Sequence, residues 1–461
     1  MISLFRHHAP IGAVLQLATE AVLCFLAVVI AVESQRQVSQ ELLGISVAPA
    51  AAFAALMALA CIALGMYRRD RRYDLYSIAV RTALAGALAV SGAYLLFFAL
   101  PHGDVAQEVL GRAVLFAVGG VFLLRRATTF AMDIGVLKWR VLVVGTGPEA
   151  QAVEQALNDW CWGRLAVVGF YEAGAEESRA VPSSRVVSHG TSIGEAVRRL
   201  RIDEIIVAVR EQRGGVLPMR QMLDCRLAGV RVTDLTRFVE RVRGEVPLEA
   251  LKLSWLVYAD GFAQGWLRGL IKRTFDVAAA SVLLLLATPV MLVTAAAIRF
   301  ECAGPVIYRQ VRVGQRGRTF TLLKFRSMRA DAEQDGRARW AQANDSRVTR
   351  IGQFIRKTRI DELPQLINVL RGEMSFVGPR PERPVFVDQL RADIPFYDVR
   401  HSVKPGLTGW AQVRYSYGAS VEEAVRKLQF ELFYVKNHSL ALDILILLET
   451  VRVVLLREGS R

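Results

Sequence analysis

Four apolar stretches of roughly membrane-spanning length precede residue 130, and they restrict the fold more than any other feature of the chain. The stretches are Ile11–Val32, Ile45–Met66, Ile78–Leu100 and Val109–Leu124. Hydrophobic residues make up 53% of all 461, which is high for a protein that is soluble throughout. The sequence therefore predicts membrane helices in the N-terminal part of the chain.

Basic residues stand at alternate junctions between these stretches. Arg6 precedes the first stretch, and Arg125 and Arg126 follow the fourth. The second stretch is followed by Arg68, Arg69, Arg71 and Arg72. Lys and Arg accumulate on the cytoplasmic side of membrane spans, which predicts a four-span anchor over residues 1–130 with both ends in the cytoplasm. A set of buried helices in a soluble core is the alternative. Because no small-residue cleavage site follows the first stretch, we expect it to remain as an anchor.

Residues 139–262 change to short β-branched runs separated by helical segments, which is typical of a soluble α/β unit. The predicted strands are Arg140–Val144, Ala166–Tyr171, Glu204–Val209 and Val230–Leu235. The turn Gly145–Ala150 follows the first strand and opens a helix, and Glu172 ends the next strand, as in a dinucleotide-binding fingerprint. Ala150 replaces the third glycine, and the same turn serves any doubly wound sheet. We predict a Rossmann-like module without assigning it a cofactor.

A fifth long apolar run, Val277–Ile298, lies near the start of the last region and has basic residues on both flanks. Because four spans return the chain to the cytoplasm, a fifth crossing would place everything after Arg299 on the outside. Thr288 and Pro289 lie at its centre, and a proline there removes a helical hydrogen bond and bends the helix. We therefore predict a re-entrant helix over residues 274–299 that enters and leaves by the cytoplasmic face. An ordinary kinked transmembrane helix is the alternative.

Positive charge is concentrated after this run. The net charge of the chain is +15, and residues 301–380 contain sixteen Lys or Arg against eight Asp or Glu. Such a segment beside a membrane element suits a lipid surface that carries phosphates. We expect membrane lipids and phosphorylated substrates as partners, and no nucleic acid.

Four motifs follow in this region, and they carry its chemistry. They are Lys324–Met328 (KFRSM), Arg356–Gln365 (RKTRIDELPQ), Met374–Pro381 (MSFVGPRP) and Lys404–Val413 (KPGLTGWAQV). These strings resemble the bacterial sugar transferase family, the initiating polyprenyl-phosphate hexose-1-phosphate transferases. The resemblance covers about Lys272 to the C-terminus, and the preceding anchor and α/β unit match the large members of the family.

This resemblance implies a membrane protein of mixed α and α/β structure. It would have a four-helix transmembrane anchor, a Rossmann-like α/β module and a mostly helical monotopic catalytic domain, residues 266–461, with a re-entrant membrane helix. The implied reaction is transfer of hexose-1-phosphate from a UDP-sugar to undecaprenyl phosphate at the cytoplasmic face of the bacterial inner membrane. The sequence is also compatible with a homo-oligomer.

The family's Asp-Glu dyad corresponds to Asp361 and Glu362. The resemblance implies that Asp361 is the nucleophile that forms a phosphosugar adduct and contacts Mg²⁺, while Glu362 assists with charge or protons. Neighbouring residues on a helix point about 100° apart, so the two carboxylates are expected to have separate roles. Without the resemblance, two adjacent acids would be interpreted as part of a solvated helix face.

Four basic residues are expected to bind the phosphates. Arg356 lies five residues before Asp361, near enough on one helix to share its surface, and Arg380 stands between two prolines. Lys324 and Arg326 belong to the first motif, although basic residues beside a membrane also bind headgroups without specificity. Gly406, Gly409 and Trp410 are interpreted as a structural turn.

One departure from the family leaves the hexose open. Many members continue the last motif with an Asn-Gly-Arg-Asn-like string, whereas this chain has Arg414–Ser420, which resembles an exopolysaccharide-associated subgroup.

Two other classes of protein are alternatives. A membrane-bound NAD-dependent dehydratase usually needs a Tyr-x-x-x-Lys pair, and none of the eleven tyrosines has a lysine four residues later. A non-catalytic scaffold would not require the Asp361–Glu362 pair.

Overall fold

The protein is described by a computed structural model that covers residues 11–33, 47–67, 75–98, 105–133, 138–160, 165–172, 179–187, 190–209, 217–248, 265–329, 347–415 and 420–455. The chain divides into two compact units, Met1–Arg243 and Gly244–Arg461. Arg6 and the basic residues at positions 68–72 lie outside the described residues.

Four apolar helices begin the first unit and coincide with the four predicted stretches. They are α1 (Ile11–Glu33), α2 (Val47–Ala63), α3 (Leu75–Phe98) and α4 (Val105–Asp133). Within the described side chains, α3 and α4 contain spans long and apolar enough to cross a bilayer, Leu75–Ala93 and Gly111–Ala131. The apolar segments of α1 and α2 are shorter, at Gln16–Ala31 and Ala50–Ile62.

Small side chains pack between these helices, and large apolar side chains face outward. Completely buried residues include Ala31, Ala85, Ala93 and Ala117. Exposed residues include Leu88, Leu115 and Leu123. This distribution is the one expected where lipid surrounds a bundle and close backbone approach holds the helices together.

A buried ion pair joins α1, α4 and the turn that follows α2. Arg125 on α4 donates from Nη2 to Oε2 of Glu20 on α1 at 2.6 Å, and from Nη1 to the carbonyl of Met66 at 2.9 Å. Tyr67 donates its hydroxyl to the same glutamate oxygen. Ionisable side chains inside an apolar bundle are tolerated when they pair with one another and with carbonyl groups, as here.

A four-stranded parallel sheet forms the rest of the first unit. Its strands are β1 (Trp139–Val144), β2 (Leu165–Tyr171), β3 (Glu204–Val207) and β4 (Arg231–Asp234), and its order is β2-β1-β3-β4. The helices are α5 (Pro148–Trp160), α6 (Ile193–Leu200), α7 (Met219–Leu227) and α8 (Leu235–Arg243). The predicted α/β unit is confirmed, and each strand lies where the β-branched runs placed it.

The glycine turn after β1 has a structural cause. Gly145 has φ +126°, and a Cβ at this position would lie 2.4 Å from the carbonyl oxygen of Ala208. The carbonyl of Thr146 accepts a hydrogen bond from Ala180 N at 2.8 Å. Glu172 forms an ion pair with Arg179 at 2.9 Å. These contacts account for the conformation of the turn. They do not bear on whether the turn binds a ligand, as its sequence pattern suggests.

The second unit opens with α9 (Trp266–Glu301), a 36-residue helix that contains Pro289 and is long and apolar enough to cross a membrane. Its central side chains are exposed, among them Val282, Leu285, Leu286, Val290 and Val293. Near its start, Lys272 pairs with Asp443 at 2.6 Å. Near its end, Ile298 belongs to a buried apolar cluster with Phe325 and Ile355. Both ends of α9 therefore contact other elements of the second unit, while its middle is exposed.

Most of the remaining elements pack around one large apolar core, beside the smaller cluster of Ile298, Phe325 and Ile355. The hairpin strands are β5 (Ile307–Val313) and β6 (Thr319–Phe325), and the parallel pair is β7 (Ser375–Val377) with β8 (Gly406–Thr408). The helices are α10 (Arg350–Lys357), α11 (Gln365–Arg371), α12 (Pro384–Asp393), α13 (Trp410–Arg414), α14 (Val421–Asn437) and α15 (Leu440–Leu455). The mixed α and α/β architecture is as predicted.

Candidate active site

Asp361 and Glu362 lie on a short 3-10 turn, Ile360–Glu362, between α10 and α11. The expectation that Arg356 and Asp361 share one helix is wrong, because α10 ends at Lys357 and Arg359 adopts a left-handed conformation with φ +59°. A non-glycine residue in this region is strained, and such strain concentrates at functional sites. The turn still separates the two carboxylates, since successive residues of a 3-10 helix point about 120° apart.

Glu362 collects three cations. Its Oε1 lies 3.2 Å from Nη2 of Arg380, 3.4 Å from Nζ of Lys324 and 3.8 Å from Nη1 of Arg359. Burial alone would raise the pKa of Glu362, but Lys324, Arg380 and Arg359 outweigh it and lower that pKa to about 2. Glu362 is therefore ionised at neutral pH and holds the cationic side chains in place.

Asp361 has a different environment. The residue is 8% exposed, and its Oδ1 is buried without a hydrogen-bond partner among the described residues. Burial and the charge of Glu362 raise the pKa of Asp361, while Lys324, Arg359 and Arg356 act in the opposite direction. Buried polar atoms are nearly always paired, so this oxygen calls for a functional explanation.

Lys324 is positioned by a buried asparagine. Asn368 is 0% exposed, accepts a hydrogen bond from Leu323 N at 3.1 Å and donates to the carbonyl of Thr321 at 2.8 Å. These bonds tie β6 to α11, which directly follows the Asp361 turn. Burial lowers the pKa of Lys324, an effect that Glu362 opposes. The lysine thus stands beside the carboxylates because β6 is held against α11.

The loop that carries Arg380 follows β7 and packs backbone against backbone with the β8 segment. A Cβ on Gly378 would lie 2.3 Å from the carbonyl oxygen of Lys404, and one on Gly409 would lie 2.2 Å from the carbonyl oxygen of Gly378. Gly378 N donates to the carbonyl of Thr408 at 2.9 Å. The glycines of both motifs are needed for this close approach.

Trp410 has the structural role expected of it. Its indole Nε1 donates to the carbonyl of Gly244 at 2.7 Å, and its ring stacks on Phe433 with centroids 5.8 Å apart. The guanidinium of Arg414 lies over the ring at 4.4 Å.

Arg326 is placed in a structural contact rather than with the carboxylates. The residue is 7% exposed, and its guanidinium donates to the carbonyls of Ala303 at 2.9 Å and Cys302 at 2.6 Å. Gly304 has φ +112°, and a Cβ there would lie 2.5 Å from Nη1 of Arg326. Arg326 therefore closes the loop after α9, and phosphate binding by it stays a prediction without a supporting contact.

Of the predicted site residues, the structure brings Asp361, Glu362, Lys324 and Arg380 together, and Arg356 acts on Asp361 through its charge. Thr288 donates its hydroxyl to the carbonyl of Leu284 at 2.7 Å inside α9, and the helix continues through Pro289.

Sequence reasoning missed Arg359, Asn368 and the buried pair Arg400–Glu431. Asn368 interrupts an apolar helix at a core position, which is a signal that pattern analysis can use. Arg400 and Glu431 are 31 residues apart and belong to no motif, so only the fold brings them together.

The carboxylates of the site meet part of what a Mg²⁺ site requires. In the described part of the chain, no group of three or more His, Cys, Asp or Glu side chains is placed to hold a metal ion. Mg²⁺ commonly needs only one or two carboxylates, because water and substrate phosphates complete its shell. The unpartnered Oδ1 shows that Asp361 has a carboxylate oxygen open to such a ligand role, whereas Oε1 of Glu362 is engaged by cations.

The chain is similar to proteins named as sugar-phosphate transferases. The profile described as "Bacterial sugar transferase" matches residues 267–457. The UDP-glucose:undecaprenyl-phosphate glucose-1-phosphate transferase of Klebsiella pneumoniae is 33% identical over 339 residues, which are 71% of this chain and 70% of that protein. The enzyme of the same description from Xanthomonas campestris is 31% identical over 425 residues, 86% of this chain and 85% of that protein.

A third relative acts on another sugar. The UDP-N-acetylgalactosamine-undecaprenyl-phosphate N-acetylgalactosaminephosphotransferase of Aeromonas hydrophila is 42% identical over 262 residues, 57% of this chain. The match spans 61% of that relative's length. The profile match and the two relatives covered over most of their length show that the chain belongs to the bacterial sugar transferase family.

Proposed function

We propose that the chain transfers hexose-1-phosphate from a UDP-sugar to undecaprenyl phosphate, giving undecaprenyl-diphosphate-sugar and UMP. The observation that carries the proposal is the unpartnered Oδ1 of Asp361 beside three cations organised by Glu362. One group is available for bond formation, and the others match the charge of a diphosphate. Relatives that use undecaprenyl phosphate as acceptor support the assignment.

The reaction would occur in two displacements. In the first, an Asp361 carboxylate oxygen attacks the phosphorus that bears the sugar, the bond from that phosphorus to the bridging oxygen breaks, and UMP leaves with the electron pair. In the second, a phosphate oxygen of the lipid attacks the same phosphorus and Asp361 departs as a carboxylate. Atoms and charge balance without an added oxidant or reductant.

Glu362 would act by charge. With a pKa of about 2 it carries no proton at neutral pH, so it is a poor general acid. Its carboxylate instead fixes Lys324, Arg359 and Arg380 in one place before the substrate arrives. Such preorganised charge stabilises the transition state of phosphoryl transfer without reorganisation during the reaction.

Magnesium would be held by Asp361 together with phosphate oxygens of the donor. When bound, the ion neutralises the charge that develops on the transferred phosphoryl group. The raised pKa of Asp361, caused first by burial, would fall beside such a cation, which keeps the nucleophile ionised.

The membrane arrangement follows from the same chemistry. A UDP-sugar donor is cytosolic, so the site would lie on the cytoplasmic face of the inner membrane. Four spans, α1 to α4, would return the chain to that face, and α9 would re-enter it with its bend at Thr288 and Pro289. The exposed apolar centre of α9 and its two packed ends support this arrangement.

The identity of the hexose and the polysaccharide pathway are the finer parts of the proposal. Relatives transfer glucose or N-acetylgalactosamine phosphates, so both sugars belong in any test. We place the reaction at the first membrane step of exopolysaccharide synthesis because the Arg414–Ser420 string resembles that subgroup.

A transfer assay with a panel of UDP-sugars tests the proposal. The full chain in detergent, with undecaprenyl phosphate and Mg²⁺, should give a labelled lipid diphosphate from one sugar, and Asp361→Asn should abolish it. Asp388→Asn is the matched control, because this aspartate is 73% exposed on α12. If no UDP-sugar gives a lipid product, or if Asp361→Asn keeps wild-type activity, the proposal is wrong.

A further inference from the structure

A buried ion pair lies behind the Arg380 loop. Arg400 is 3% exposed in its side chain and Glu431 is 7% exposed. The pair is bidentate: Nε of Arg400 donates to Oε2 of Glu431 at 2.7 Å, and Nη2 donates to Oε1 at 2.8 Å. Nη1 also donates to the hydroxyl of Tyr397 at 3.2 Å.

The same guanidinium contacts the active-site loop. Nη2 of Arg400 donates to the main-chain carbonyl of Arg380 at 2.8 Å. Glu431 and Arg380 also border one shallow crevice, together with Gly378 and Trp410. Arg400 therefore links α14 directly to the peptide unit that carries the Arg380 side chain.

This contact is one of a series. Four successive carbonyls each accept a hydrogen bond: Pro379 from Gly406 N (2.9 Å), Arg380 from Arg400 Nη2 (2.8 Å), Pro381 from Arg312 Nη1 (3.1 Å) and Glu382 from Val313 N (3.0 Å). The flanking prolines fix their own φ angles, and Pro381 restricts Arg380 to extended conformations, which still span a range of φ and ψ. Within that range, the hydrogen bond from Arg400 holds the peptide on the carboxyl side of Arg380 in one orientation.

Burying a charged pair is a poor way to gain stability, because desolvation offsets most of the attraction. A pair placed at this depth is better explained by a geometric task. The planar guanidinium can satisfy a carboxylate and a carbonyl at once, which a lysine ammonium cannot do in the same geometry.

We propose that Arg400, oriented by Glu431, is a positioning residue that aims Arg380 at the diphosphate. The inference rests on the proposed function, in which Arg380 grips the transferred group. Arg400 touches no substrate and acts only through the Arg380 peptide.

A double-mutant cycle tests this role. Arg400→Lys keeps the charge and should lower kcat roughly 10²-fold, the effect of a misplacement of about 1 Å at a reacting group. In the background of Arg380→Ala the same change should alter kcat by no more than about twofold, the scatter seen for independent sites. Arg391→Lys is the matched control, since Arg391 pairs with Asp398 at 2.7 Å but is 51% exposed. It should leave kcat unchanged.

The outcomes of the cycle distinguish a positioning role from a structural one. Strong coupling between positions 400 and 380 supports the proposal, because a merely structural role would lower activity equally in both backgrounds. Additive losses overturn it. If Arg400→Lys does not fold, as judged by thermal unfolding of the full chain, the cycle is run with Glu431→Gln, which keeps the volume and is read in the same way. A wild-type chain that transfers no sugar phosphate overturns the proposed function and this inference together, whereas additivity in an active enzyme overturns only the positioning role.

Discussion

Asp361 and Glu362 are adjacent in sequence, but their pKa values shift in opposite directions. The pKa of Asp361 is raised, first by burial, whereas the pKa of Glu362 is lowered to about 2 by three cations that outweigh burial. Pairs of titratable groups pushed apart in this way mark division of labour in active sites. The opposite shifts fit the roles proposed above, in which Asp361 forms the bond to phosphorus and Glu362 organises charge.

The lowered pKa of Glu362 predicts a pH-dependent contribution to stability. A carboxyl group whose pKa is lower in the folded state stabilises the fold above its ordinary value of 4.5, and this stabilisation is lost as the pH falls towards about 2. Glu362→Gln should therefore unfold at a lower temperature than wild type at neutral pH, and the difference should shrink as the pH falls through this window. Its kcat should be roughly 10²-fold lower.

Thermal unfolding of both proteins over that pH range measures the effect, with Asp388→Asn as an exposed control. A difference between wild type and Glu362→Gln that stays constant down to the acid end would contradict the charge-holding role.

The motifs made the site residues predictable, but not the backbone conformation and contacts around them. The strings around Lys324, Asp361 and Arg380 identified three residues that the fold does bring together. The left-handed Arg359 was not predictable, because non-glycine residues seldom adopt φ +59° and nothing in the sequence breaks the helix there. Arg326 was assigned to phosphate by its motif, and only the fold shows its contacts with the Cys302–Ala303 carbonyls.

At the scale of elements, α9 is the least conventional part of the chain. Apolar length predicted the helix, yet length and composition equally allow a crossing and a re-entrant path. The two models differ in one respect: a re-entrant helix leaves both of its ends on the cytoplasmic side, and a crossing helix places them on opposite sides.

Two cysteine substitutions distinguish these paths. Trp266 and Phe300 lie near the two ends of α9 and are 79% and 92% exposed. We expect Trp266→Cys and Phe300→Cys both to resist a membrane-impermeant maleimide added from the periplasm and both to react after the membrane is opened. Labelling of Phe300→Cys alone from the periplasm would establish a crossing. Both substitutions are made in a Cys302→Ala chain, because Cys302 is only half-buried and lies two residues from Phe300, whereas the described Cys24, Cys61 and Cys225 are buried. The Cys302→Ala chain alone gives the background.

Because the chain divides into two compact units, we expect the proposed transfer to be separable from the apolar helices and the α/β module of the first unit. The family profile covers residues 267–457, within the second unit. The α/β unit was predictable because short β-branched runs alternate with helical segments. The position where the second unit begins was not, since it depends on contacts such as that of Gly244 with Trp410.

A truncation pair tests this organisation. A fragment beginning at Gly244 should retain Mg²⁺-dependent transfer in detergent, because it keeps the Gly244 carbonyl that accepts from Trp410 and the buried Val246. A fragment beginning at Gly265 should also be active but unfold at a lower temperature. Folded fragments without transfer would show that the first unit takes part in the reaction.

Trapping the covalent intermediate tests the proposed mechanism. Full-length enzyme is incubated with sugar-labelled donor and Mg²⁺ but no lipid, then quenched in denaturant. We predict UMP release close to one equivalent per enzyme, with the label on Asp361 by peptide mapping, and neither result in Asp361→Asn. UMP release that strictly requires undecaprenyl phosphate, with no label on the protein, would contradict the account and establish direct transfer.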